Sequence, residues 1–109
     1  MSSHEGLSVE RWHQMTLFEQ LGNAGSEVGR AIRAKEQGSS RFDGAFIRAL
    51  DLLDLTLSDP RWRGHRLREI ARAREVTCDF LVGDNEYGTT GGSLEAWFLA
   101  YAMAARLAR

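Results

Sequence analysis

One cysteine, one proline and one lysine in 109 residues exclude several classes of protein before any motif is sought. A lone cysteine, Cys78, cannot form an internal disulfide framework or build a thiolate metal centre by itself, which favours a reducing compartment, the cytoplasm. Lys35 stands alone against thirteen arginines, a bias that genomic base composition can produce without any function. Histidine is scarce too. His4, His13 and His65 are scattered, none has a partner at metal-ligand spacing, and no metal, cofactor or catalytic residue is expected. A net charge of −1 excludes wholesale attraction to polyanions, so a nucleic-acid reading must rest on a local patch. Met1 to Glu10 has no apolar run of signal-peptide length and reads as a frayed tail. The most apolar stretch, Leu94 to Ala108, is shorter than the roughly 20 residues a membrane helix needs, and Glu95 and Arg106 interrupt it. No membrane partner is expected.

No segment alternates apolar and polar residues in the manner of a half-buried strand, and four segments repeat with helical period. The expected class is all-α, an antiparallel up-and-down four-helix bundle over 16–109, after a partly ordered tail over 1–15. The first helix opens on the capping pair Thr16 and Glu19, carries Leu17, Leu21, Ala24, Val28 and Ala31/Ile32 inward, and stops at Gly38. The second runs from Arg41 to Leu57 with Phe42, Phe46, Ala49, Leu50, Leu53 and Leu57 inward, and ends at Ser58-Asp59-Pro60. The third spans 64–82 with Gly83 as a left-handed stop, and the fourth starts at Ser93. An extra turn around Val9 to Gln14 would bring Val9, Trp12 and Met15 over one end of the bundle.

Several features break the rules of an ordinary core. Arg74 falls among Leu67, Ile70, Ala71, Thr77, Cys78 and Leu81 on the inner face of the third helix. A buried guanidinium needs a partner, and Glu27 is the expected carboxylate; the alternatives are an arginine reaching solvent at one end, or an anion site. Arg61, Trp62, Arg63, Arg66, Arg68 and Arg72 form the strongest charge cluster. Arginines with an interleaved indole suit RNA or single-stranded DNA, whereas the plainer reading is a solvated face paired to Glu69, Glu75 and Asp79. From 75 to 95 the sign inverts: Glu75, Asp79, Asp84, Glu86 and Glu95 occur without one basic residue. Their spacing matches no EF-hand loop. Thr89 to Ser93 approaches a helix N-terminus like an anion cradle without its lysine, or like a loop with an N-cap.

Apolar residues also occur where polar ones belong. Ile47 and Leu55 flank Asp51 on the second helix, and Leu99, Met103 and Leu107 lie away from Trp97, Phe98 and Tyr101 on the fourth. Helices apolar on two sides need a cover, so a homodimer, or another protein partner, is expected on these faces, the alternative being that Leu7 to Met15 covers the fourth helix. Gly22, Gly25 and Gly29 line one flank of the first helix, where their spacing admits close approach of a neighbour.

The runs Leu55-Thr56 through Asp59-Pro60-Arg61, Arg72-Ala73-Arg74-Glu75-Val76 and Asp84-Asn85-Glu86-Tyr87-Gly88 resemble a group of small uncharacterised bacterial helical proteins of clostridial type, from Met15 onward. The resemblance implies a helical fold and no activity. In architecture the chain is similar to Avd-like four-helix bundles, which implies oligomerisation and nucleic-acid partners. Helical RNases of the HEPN group use an arginine and a histidine at wider spacing than Arg61 and His65, which have three residues between them. Sequence therefore points first to a non-catalytic, self-associating interaction module, then to a nucleic-acid binder on the 61–74 segment, and last to a ligand-binding protein or enzyme centred on Arg74.

Overall fold

The helix ends follow from local chemistry. In the computed structural model, which describes residues 8–104 and 107 in full and the backbone of 105 and 106, five helices occur in the order α1 (Val9–His13), α2 (Leu17–Glu36), α3 (Phe42–Leu57), α4 (His65–Leu81) and α5 (Gly91–Leu107). Among the described residues there is no strand. No described helix is long and apolar enough to cross a membrane.

Thr16 and Glu19 close the capping box at the start of α2: the Glu19 amide donates to Thr16 Oγ1 at 3.1 Å and the Thr16 amide to Glu19 Oε1 at 2.9 Å. Its far end is a Schellman motif. Ser39 N–H reaches the Ala34 carbonyl at 2.8 Å and Gly38 N–H the Lys35 carbonyl at 3.2 Å, with Gly38 left-handed at φ +61°. The expected left-handed stop at Gly83 is corrected: the positive φ values after α4 belong to Asn85 and Gly88. The reason is Asp79. Its carboxylate accepts from the Glu86 and Tyr87 amides at 2.8 and 3.0 Å, and its carbonyl from the Asn85 amide, so the chain is drawn back over the end of α4 before it reverses. The acidic group foreseen at 75–95 is thus partly a turn device, and no three metal-ligating side chains gather among the described residues.

The long helix α2 is the axis of the molecule, packed along both α3 and α5. Leu17, Leu21, Ala24, Val28, Ala31 and Ile32 are all buried, as their period predicts. On α3 Ala49 and Leu53 of the expected row are buried, joined by Ala45 and Thr56, while Phe42, Phe46, Leu50 and Leu57 are only half-buried. The small alanines let α2 approach, and the phenylalanines stack on each other at its flank with ring centroids 5.7 Å apart. On α4 the buried line is Ile70, Ala73, Thr77 and Leu81. That rotation carries Leu67 out to 37% exposure and moves Arg74 from the centre of the buried face to its edge.

The backbones of α4 and α5 scarcely approach each other, and side chains bridge the gap, with Tyr101 Oη donating to Glu69. Nor is the N-terminal segment wholly a tail. Trp12 on α1 is 2% exposed and belongs to the core, while Val9 remains exposed, and 1–7 lie outside the described residues. The radius of gyration, 13.5 Å, is close to the roughly 13 Å of a compact chain of 100 residues.

Candidate functional site

Beneath the arginine-rich segment lies a buried polar cluster. Gln20, Thr56 and Asp59 are 0%, 0% and 2% exposed, yet each is satisfied. Gln20 Nε2 donates to the Trp12 carbonyl at 2.8 Å and to Asp59 Oδ2 at 3.0 Å, while Gln20 Oε1 accepts from Trp62 Nε1 at 2.8 Å. Trp12 Nε1 donates to Thr56 Oγ1 at 3.0 Å, and that hydroxyl donates to the Leu52 carbonyl. Asp59 receives the Arg61 backbone N–H and its guanidinium, whose Nη2 also reaches the Met15 carbonyl at 2.6 Å. Burial alone would raise the Asp59 pKa, but the hydrogen bonds from Arg61 and Gln20 outweigh it and hold the carboxyl at about 2. The cluster ties α1, α2 and the α3–α4 loop together through satisfied polar groups.

That geometry divides the six residues read as a nucleic-acid contact set. Arg61 is committed to Asp59 and Met15. Trp62 is half-buried, its indole N–H is spent on Gln20, and the guanidiniums of Arg61 and Arg66 lie 4.5 and 5.9 Å from its ring centroid. Arg63 donates to the Pro60 carbonyl. Among the described residues the ion pairs of this region join Arg61 to Asp59 and Arg74 to Asp54, and His65 Nε2 lies 3.2 Å from a Glu69 carboxylate oxygen; Arg63, Arg66, Arg68 and Arg72 enter no ion pair.

Arg74 meets Asp54 of α3, not Glu27. Its Nε lies 2.6 Å from Asp54 Oδ1, and the two side chains are 36% and 53% exposed. Glu27 pairs instead with Arg30 of its own helix and Arg48 of α3. The expectation of a buried ion pair failed because the core line of α4 runs through Ala73, one residue round the helix. Arg74 Nη1 also approaches Cys78 Sγ at 3.9 Å, but burial pushes the Cys78 thiol up, with Arg74 opposing it, so the sulfur is kept protonated and a poor nucleophile.

The apolar faces separate as well. Ile47 is 51% exposed but stands among Asp43, Arg48 and Asp51, and Leu55 is half-buried where His13 Nε2 contacts its carbonyl oxygen. On α5, Leu99, Met103 and Leu107 are 59%, 46% and 83% exposed, with Ala96 and Ala100 also exposed between them. Beside this ridge a groove of about 490 Å³ runs between α5 and α2, floored by Gly22, Gly25 and Gly29. Two of the glycines admit the close approach of α5: a Cβ on Gly25 would overlap Phe98 Cβ, and one on Gly22 would lie 3.0 Å from the Ala102 Cα. The exposed apolar surface foreseen on two helices is therefore continuous on α5 alone.

Gln20, absent from the residues expected at a site, falls between Leu17, Leu21 and Ala24 in the inward row of α2. A polar residue on that row was the available signal. Comparisons with protein-family profiles, curated proteins and solved structures find no match to this chain.

Proposed function

We propose that this chain is a non-catalytic helical interaction module that pairs with a second copy of itself through the face shared by α2 and α5. One observation carries the reading: the apolar ridge Leu99, Met103 and Leu107 stands directly beside a glycine-floored groove. Ridge and trough on one face make that face self-complementary, so a two-fold axis seats each ridge in the partner's trough. Burial of the three ridge side chains contributes roughly 1.5 to 3 kcal/mol for each one fully covered. A net charge of −1 leaves little repulsion between copies. In this reading α2 to α5 are the antiparallel members of an up-and-down four-helix bundle, α1 caps one end, and the protein works in the cytoplasm.

The test is sedimentation velocity at micromolar concentration. The native chain should run as a dimer and Leu99→Glu as a monomer of unchanged helicity. A native monomer would refute the reading.

A second reading, contact with RNA or single-stranded DNA, is favoured by Arg63, Arg66 and Arg68, which enter no ion pair among the described residues. Retention on RNA that weakens steeply with salt would support it; no retention at low salt would dismiss it.

A further inference from the structure

The gap between α4 and α5 opens into a cleft of about 270 Å³, distinct from the α2–α5 groove and lined by different faces of the helices. Its floor is apolar: Val76 of α4, and Leu94 and Trp97 of α5. Trp97 is held rigidly, edge-on to Phe98 at 5.0 Å and tilted against Tyr101 at 4.9 Å. Glu69, Arg72, Thr89 and Ser93 supply the polar lining.

The charges of that lining are unequally committed. Glu69 accepts from Tyr101 Oη and lies 3.2 Å from His65 Nε2, so both carboxylate oxygens are engaged. Glu75, one turn beyond Arg72, accepts from Tyr87 Oη at 2.7 Å. Arg72 therefore sits between two carboxylates with neither as an ion-pair partner, its guanidinium 5.3 Å from the Tyr87 ring centroid. It is the cationic side chain of the cleft and enters no ion pair among the described residues. Thr89 and Ser93 flank the first turn of α5, whose amide dipoles favour negative charge, and Thr90 Oγ1 caps that turn by accepting the Ser93 amide at 3.0 Å. The Ser93 side chain is exposed and lines the cleft.

A dry apolar cavity of roughly 150 Å³ is enough to take benzene. A cleft of about 270 Å³ takes one ring with a short acidic arm. We propose that the α4–α5 cleft binds a small aromatic carboxylate, its ring against Trp97, Val76 and Leu94 and its carboxylate on Arg72 and the Ser93 hydroxyl. A bidentate guanidinium–carboxylate contact fits the planar fork of arginine, and an apolar floor with a few convergent polar groups is the ordinary make-up of a small-molecule site.

The experiment titrates the full chain, labelled with 15N, with phenylacetate and separately with its neutral analogue phenylacetamide and with inorganic phosphate. Phenylacetate should shift the Trp97 indole and the Ser93 and Arg72 resonances, and bind at least about tenfold more tightly than the amide, as loss of one charge-assisted contact predicts. Arg72 is exposed, so Arg72→Gln should keep the native unfolding midpoint and bind acid and amide alike. Equal binding of acid and amide to the native chain, no shift at these residues at millimolar phenylacetate, or equal shifts with phosphate would overturn the proposal. Sedimentation of the same samples separates it from dimerisation, which the proposal does not need.

Discussion

The side-chain amide of Gln20 bridges Asp59 and Trp62: its nitrogen donates to the carboxylate at 3.0 Å and its oxygen accepts the indole N–H at 2.8 Å. Both orientations of the amide are used at once, and the amide nitrogen also serves the Trp12 carbonyl. An apolar replacement has no way to satisfy three partners. Gln20→Leu should lower the unfolding free energy by about 2 to 4 kcal/mol, because a carboxylate, a carbonyl and an indole N–H are left short of partners in a buried place. Urea unfolding followed by tryptophan fluorescence measures it, and a loss under 1 kcal/mol would show that water replaces the amide.

Asp59 makes the same cluster sensitive to acid. Its folded pKa of about 2 lies below the ordinary 3.8, so the stabilisation it provides is complete above the ordinary value and fades as pH falls through the folded one. The shift corresponds to ~2 kcal/mol. Asp59→Asn should be less stable than the native chain at neutral pH, and the gap should narrow by that amount between about pH 5 and pH 2. Parallel stability curves would contradict the assignment.

Thr77 carries a fully buried hydroxyl with no hydrogen-bond partner among the described residues. Valine has nearly the same shape and nothing to satisfy. Thr77→Val should raise stability by about 1 kcal/mol and shift the melting temperature upward by several degrees. A destabilised variant would place an ordered water or another partner on that oxygen.

Two glycines of the α2–α5 pair should respond in opposite directions. Gly25→Ala sets a methyl against Phe98 and should destabilise by about 1 to 3 kcal/mol, since helix α5 would have to move away. Gly92→Ala meets nothing within 4 Å and should stabilise by about 0.5 to 1 kcal/mol through backbone entropy alone. Thermal unfolding of both variants compares them directly.

Helix type and the ends of α2 and α3 were legible from sequence because they depend on residues within one turn of each other. Thr16 and Glu19, Gly38, and Asp59-Pro60 each act on the neighbouring backbone, and the structure has helix boundaries at all three. The inward row of α2 was equally legible, since its apolar residues form one unambiguous stripe.

Which way the mixed helices turn was decided only by packing. Along α4 Ala73 and Arg74 lie about 100° apart, and apolar residues on both sides leave the sequence period unable to choose between them. Close approach favours the smaller residue, so Arg74 moves to the edge and finds Asp54. The same holds for the polar groups under the loop: Asp59 reads in sequence as a helix breaker and Trp62 as an exposed ring. Tertiary structure makes them partners of Gln20, some forty residues earlier in the chain, because only the docking of α1, α2 and the α3–α4 loop brings those atoms within hydrogen-bond reach. Helix content was written locally; the rotation of each helix, and with it every polar partner across helices, came from the whole.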